Sequence, residues 1–153
     1  MPNIEKKILI NAPLDAVFAF ATDPQRWNDF FVGLTVPDEV NGTGKPGTIV
    51  KQHYLLAGFT FPVTTRVLVN DFGPKQATWK AAIDGPLAGT QEWLYTAKGN
   101  TTEILTKIDY TVPAKALGKI TDHLVIEKME ERAFEHTLEN LKLLCETKVP
   151  ATV

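Results

Sequence analysis

The chain contains 153 residues, of which 44% are hydrophobic and 22% charged, and its formal net charge is −2. This length is typical of one compact domain that needs no disulfide or metal to fold, so we predict a single domain over residues 1–153. Without an excess of Lys and Arg, nucleic acid is not expected as a partner.

The cysteine content and the N-terminus indicate the compartment. Cys145 is the single cysteine, which excludes an intramolecular disulfide and favours a reducing environment. The first residues lack the apolar run of a secretory signal, and no apolar stretch approaches the roughly 18–20 residues that cross a bilayer. We therefore expect a cytoplasmic protein without an integral membrane segment.

The N-terminal segment predicts one strand followed by two short helices. Three isoleucines in residues 4–10 favour a strand, and Pro13 suits the first turn of a helix that continues to Ala21. Asp23 is a candidate N-cap with Pro24 at the first helical position. The second short helix would then carry Trp27, Phe30 and Phe31 on one side.

From Gly33 to Pro113 the hydrophobic period changes to two, which is typical of strands. Glycine-, proline- and asparagine-containing turns separate the segments, and no crossover helix fits between them, so the strands are antiparallel neighbours. With the first strand, the predicted sheet has about seven strands. The segments are Leu34–Val40, Gly47–Ala57, Phe61–Asn70, Gln76–Ile83, Thr90–Ala97 and Thr102–Thr111.

The C-terminal segment, from Thr121 to Glu146, contains no Gly or Pro and predicts one long helix. A helical wheel gives an apolar stripe centred on Phe134. Towards the N-terminus the same stripe meets ionisable residues, with an isoleucine beside them: His123, Ile126, Glu127 and Glu130. Either this half extends beyond the sheet and is solvated, or it covers a hydrated pocket and supplies polar groups to a ligand.

Alternation along the strands places large aromatic side chains on one face of the sheet. They are either a packed core or the lining of a cavity, and buried Trp and Tyr need hydrogen-bond partners that a pocket supplies. For Gly47–Ala57 the inward face stays open, because Val50, Tyr54 and Leu56 compete with the alternate positions. The candidate cavity residues are Trp79, Trp93, Tyr95, Ile108, Tyr110, His123, Ile126 and Glu130.

Three sequence motifs carry a family resemblance. Residues 8–18 (ILINAPLDAVF) end a strand in Ala-Pro before a Val-Phe helix, and residues 22–27 (TDPQRW) have an Asp-Pro-x-x-Trp pattern. Together with LENLK at residues 138–142, they resemble the START-related, or SRPBCC, superfamily, most strongly its polyketide cyclase/dehydrase and lipid-transport branch.

The resemblance implies an α+β helix-grip fold. In that fold a curved antiparallel sheet of about seven strands surrounds a long C-terminal helix, and two short helices follow the first strand. The space between sheet and helix would be a cavity for a lipid, a polyketide or a related hydrophobic molecule. The superfamily has no universal catalytic motif to transfer onto this sequence.

Three functions remain open on this basis. The favoured one is binding of a small hydrophobic ligand. The second is a cyclase or dehydratase that uses Glu130, Glu127 or His123 as general acid–base. The third is an interaction module with a closed core. The three histidines are scattered along the chain, so we expect no metal site, and we predict no cofactor. The sequence does not determine the ligand or the oligomeric state.

Overall fold

The structure is a computed structural model that describes residues 2–119 and 123–148. Within these ranges the chain forms a seven-stranded sheet and four α-helices. The strands are β1 (Asn3–Ile10), β2 (Glu39–Asn41), β3 (Ile49–Leu56), β4 (Phe59–Phe72), β5 (Gln76–Asp84), β6 (Gly89–Lys98) and β7 (Thr101–Asp109). The helices are α1 (Leu14–Ala21), α2 (Trp27–Phe30, preceded by a 3₁₀ turn over Pro24–Arg26), α3 (Ala114–Lys119) and α4 (His123–Lys148).

The sheet is antiparallel throughout, in the order β1-β7-β6-β5-β4-β3-β2. Strands β2 to β7 therefore each pair with their neighbours in sequence, and β1 forms the edge of the sheet beside β7. Helix α4 packs against β1, α1 and α2. This is the helix-grip α+β fold, with two short helices after β1, and the predicted fold class is confirmed.

Side-chain alternation in β1 explains how this strand holds the long helix. Ile4 and Ile10 are buried, and Lys6 shares their face. Its Nζ lies 2.7 Å from Glu131 Oε1 and 2.9 Å from Glu135 Oε1 of α4. Lys6 interrupts the apolar pattern because it pairs with carboxylates of the helix that covers this face.

The apolar stripe of α4 is the main contact between helix and sheet. The predicted stripe, centred on Phe134, is buried through Leu138, Leu141 and Cys145. Asp23 also caps the turn before α2, because its Oδ1 accepts from the backbone N–H of Gln25 at 3.0 Å. Both predictions are confirmed.

Two elements differ from the prediction. The expected strand Leu34–Val40 is wrong, since regular pairing is confined to β2 and Leu34 makes only an isolated bridge to Tyr54. Pro37 lies within that segment and has no N–H to donate to a ladder. Helix α3 was not predicted; it follows β7 directly.

A membrane-spanning helix needs both length and sustained apolar character. Among residues 2–119 and 123–148, no helix combines the two.

Candidate ligand cavity

A cavity of about 110 Å³ lies between the sheet and the helices. Nine of the side chains that line it are aromatic. They come from α2 and the residue after it, from β3, β5 and β6, from the residue after β7 and from α4. This aromatic set consists of Trp27, Phe30, Phe31, Tyr54, Trp79, Trp93, Tyr95, Tyr110 and Phe134. The volume is somewhat below the roughly 150 Å³ of an engineered apolar cavity that binds benzene.

The rings contact one another and so fix the shape of the cavity. Trp27 and Trp79 meet edge to face with centroids 5.5 Å apart, and Trp93 contacts Phe134 edge to face at 5.9 Å. Edge-to-face contacts at these distances are favourable. Helix α2, the centre of the sheet and helix α4 are thus joined through the lining of the cavity.

One end of the cavity opens towards solvent. Its lining there includes the exposed Asp109 and the half-buried Ile83 and Gln91. Register places these residues at the same end of the sheet, because Gln91 pairs with Ile108 while Ile83 pairs with the first residue of β6. This end of the cavity is therefore bounded by the end of β5, the start of β6 and the end of β7.

Glu130 is the ionisable group of α4 that lines the cavity. Its Oε2 accepts a hydrogen bond from the Tyr54 hydroxyl at 2.7 Å. Burial raises the pKa of Glu130 to about 6, although the bond from Tyr54 acts in the opposite direction. Burial, reinforced by the charge of Glu130, holds the pKa of Tyr54 well above its usual value.

Two polar atoms of the lining residues have no hydrogen-bond partner among the described residues. They are Trp79 Nε1 and the Tyr110 hydroxyl, and each of these side chains is only 6% exposed. Leaving such a group unpaired costs about 1–3 kcal/mol. By contrast, Trp93 Nε1 donates to Gln91 Oε1 at 2.9 Å. The cavity therefore contains hydrogen-bonding capacity that the described part of the chain does not satisfy.

The structure brings most of the predicted site residues together. Six of them line the cavity: Trp79, Trp93, Tyr95, Ile108, Tyr110 and Glu130. Their role in binding stays a prediction, because geometry alone does not test it.

Three other candidates lie outside the cavity lining. Ile126 is fully buried, but in a second apolar cluster with Leu56 and Phe61. His123 is exposed and is the first residue of α4, and Glu127 is half-buried. The N-terminal half of α4 was expected either to be solvated or to supply polar groups to a pocket. Each alternative applies to a different residue, since His123 faces solvent while Glu130 faces the cavity.

Sequence reasoning missed several lining residues. Tyr54 is one, because both faces of β3 carry apolar residues; the buried face includes Gln52, whose Nε2 donates to a backbone carbonyl. Phe134 is another, since the wheel assigns it to the core alone. Trp27, Phe30 and Phe31 all line the cavity, although Phe31 lies just after α2 and not on it. Their predicted grouping on one side was the signal that could have placed them there.

No metal centre is evident in the described part of the chain. Within residues 2–119 and 123–148, no group of three or more His, Cys, Asp or Glu side chains is arranged to hold an ion.

Comparison with known families identifies the class of protein. Residues 1–146 match the family described as polyketide cyclase / dehydrase and lipid transport. The chain belongs to this family, within the SRPBCC class that the fold and cavity already indicate. A search of curated proteins found no significant match.

Solved structures of low sequence identity share the fold. A protein of Thermus thermophilus superposes with a TM-score of 0.77 at 16% identity, covering 97% of this chain and 99% of that one. The Zhui aromatase/cyclase of Streptomyces sp. R1128 gives 0.70 at 19% identity, covering 96% and 94%. A START superfamily protein of Mycobacterium smegmatis gives 0.71 at 11% identity, covering 97% and 100%.

Proposed function

We propose that the protein binds a small hydrophobic molecule with at least one ring in the cavity between its sheet and α4. The aromatic lining carries this proposal, because flat apolar walls with a few polar groups are typical of ligand sites. Membership of a family described by polyketide cyclase, dehydrase and lipid transport supports the same class of ligand.

Cavity size limits what fits without movement. A volume of about 110 Å³ accommodates roughly one ring by comparison with the benzene-binding cavity. Ligand pockets for larger molecules usually measure about 300–1,000 Å³. A lipid or polyketide would therefore project through the open end or displace lining side chains such as the half-buried Phe31.

The cavity argues against a closed-core interaction module. In such a protein, large side chains would fill the space between sheet and helix, and the polar atoms there would be paired. Here Trp79 Nε1 and the Tyr110 hydroxyl lack partners in the described part of the chain. Two unpaired buried groups beside a cavity are more consistent with a site that receives a ligand.

A second candidate function is general acid–base catalysis by Glu130, of the cyclase or dehydratase type. The observation that favours it is the position of Glu130, which lines the cavity and accepts a hydrogen bond from the Tyr54 hydroxyl. Burial there raises the pKa of Glu130 to about 6, close to the range in which a carboxyl can both give and take a proton. His123 is exposed, so Glu130 with Tyr54 forms the proposed acid–base pair.

A matched pair of substitutions in α1 tests binding. Ala21 lines the cavity, whereas Ala19 is exposed on the same helix. Native mass spectrometry of the protein purified from its own cells should show a co-purifying apolar mass in the wild type and in Ala19→Leu, and less of it in Ala21→Leu, where the added side chain occupies the site. Equal occupancy in all three proteins would contradict the proposed site.

The catalytic alternative has its own test. Any compound that co-purifies is incubated with the wild type and with Glu130→Gln, and the products are compared by mass. Turnover that disappears in the variant while binding persists would support catalysis by Glu130. A ligand that both proteins return unchanged would leave binding as the function.

A further inference from the structure

Among the described residues, those that line the cavity and carry a charge are all acidic. Its acidic lining residues are Glu130 and Asp109, and the described lining residues include no Lys, Arg or His. Asp109 is exposed at the open end of the cavity, whereas Glu130 is half-buried. The chain as a whole is almost neutral, so this separation of charge is a local property of the cavity.

Among the side chains that the structure describes, which exclude those of residues 119–122 and 148–153, no cation neutralises Glu130. The ion pairs of α4 are on its outer surface or at β1, and no Lys, Arg or His nitrogen of these side chains lies within 4.0 Å of the Glu130 carboxylate. Its hydrogen bond comes from the neutral Tyr54 hydroxyl. A carboxylate removed from water without a counter-ion is costly, and a ligand that brings a positive charge would reduce that cost.

The aromatic rings add a second preference for a cation. The faces of Trp, Tyr and Phe rings carry negative potential and attract ammonium groups by about 0.5–2 kcal/mol each. Tyr54, Tyr110 and Trp93 all line the cavity with Glu130. Glu130 and Tyr110 line the same cavity, and the charge of Glu130 contributes to the raised pKa of Tyr110.

The Tyr110 hydroxyl supplies a hydrogen-bond acceptor for the same group. It is buried and has no partner among the described residues. An ammonium group has three N–H donors and no acceptor, so it can donate to both Glu130 and Tyr110. A neutral alkyl group would leave both without a new partner, and a carboxylate would be repelled by Glu130.

We propose that the ligand of this cavity is an organic cation, an amine attached to an apolar ring, whose ammonium group binds Glu130 and Tyr110 while the ring packs among the aromatic side chains. This inference rests on the proposed binding function and adds the charge of the ligand. It excludes fatty acids and other anionic lipids as the preferred class.

Three probes of similar shape and different charge test the inference: 2-phenylethylamine (cation), propylbenzene (neutral) and 3-phenylpropionate (anion). All three tryptophans of the chain line the cavity, so their fluorescence reports binding. At neutral pH we expect the amine to bind at least about tenfold more tightly than propylbenzene, because the carboxylate of Glu130 and the face of one aromatic ring attract only the cation. The anion should bind most weakly.

Two variants locate the preference. In Glu130→Gln the ratio of amine affinity to propylbenzene affinity should fall, because the carboxylate is lost and only the ring faces and Tyr110 still favour the cation. Glu139→Gln, at an exposed carboxylate of the same helix, should keep the wild-type order. The ranking of probes on the wild-type protein does not depend on whether either variant folds.

The outcomes separate the two proposals. If propylbenzene binds as tightly as the amine, or if the amine keeps its full advantage in Glu130→Gln, the charge preference assigned to Glu130 is overturned and the binding function stands. If none of the three probes binds, the proposed binding function fails, and this inference fails with it.

Discussion

The burial of Glu130 has a measurable effect on folding. In the folded protein the pKa of this carboxyl is raised from its usual 4.5 to about 6, chiefly by burial. Between these two values the folded state binds more protons than the unfolded state, so the free energy of unfolding falls as the pH rises. The stabilising contribution of the neutral carboxyl is complete below pH 4.5 and is lost above pH 6.

The magnitude follows from the two pKa values. Their difference corresponds to about 2 kcal/mol at about 1.36 kcal/mol for each factor of ten in proton affinity. Replacing Glu130 with Gln removes the titration but keeps the size and polarity of the side chain. Relative to Glu130→Gln, the wild type should therefore lose about 2 kcal/mol of unfolding free energy between about pH 4 and pH 7, or about 4–8 °C in Tm.

Urea unfolding of both proteins at a series of pH values measures this difference, because the other titrating groups contribute equally and cancel. Glu139→Gln, at the exposed end of an ion pair with His136, is the control and should differ little from the wild type across the series. A difference between wild type and Glu130→Gln that stays constant, or a wild type that gains stability relative to the variant as the pH rises, would refute the burial of this carboxylate.

Three further predictions concern the surroundings of the cavity. Tyr54→Phe removes the hydrogen bond that lowers the pKa of Glu130, so that pKa should rise above about 6 in a ¹³C NMR titration. Gly89→Ala would place a methyl group 1.9 Å from the Asp109 carbonyl oxygen of β7, and it should lower the free energy of unfolding in urea by more than about 2 kcal/mol. Its control is Gly118→Ala on α3, where the methyl group has open space; this variant should be neutral or raise that free energy by up to about 1 kcal/mol. Thr137→Val removes the acceptor of a backbone N–H in the loop after α2, bonded at 3.0 Å, and should cost about 1–3 kcal/mol.

Each of these three has a result that contradicts it. A pKa of Glu130 that is unchanged or lower in Tyr54→Phe would mean that the hydroxyl does not donate to the carboxylate. Equal stability of the two glycine variants would disprove the close approach of β6 and β7. An unfolding free energy of Thr137→Val equal to that of the wild type would show that the loop after α2 is not held through this side chain.

Local patterns were sufficient to predict most of the fold. The period of two between Gly33 and Pro113 predicted the antiparallel strands, and the absence of Gly and Pro near the C-terminus predicted α4. These patterns succeed because regular elements depend on spacing and on backbone chemistry that each residue carries with it. The exception is the segment around Pro37, where apolar alternation predicted a strand but the missing N–H of the proline is incompatible with regular strand pairing.

Which residues share the cavity depended on tertiary structure. His123 and Glu130 lie on the same side of a helical wheel, yet only Glu130 lines the cavity, because His123 is at the start of α4 and exposed. The inward face of β3 was also undetermined until its pairing with β4 placed Tyr54 opposite Phe61. Sequence spacing defines the face of one element, but the position of that face over its neighbours depends on packing between elements distant in the chain.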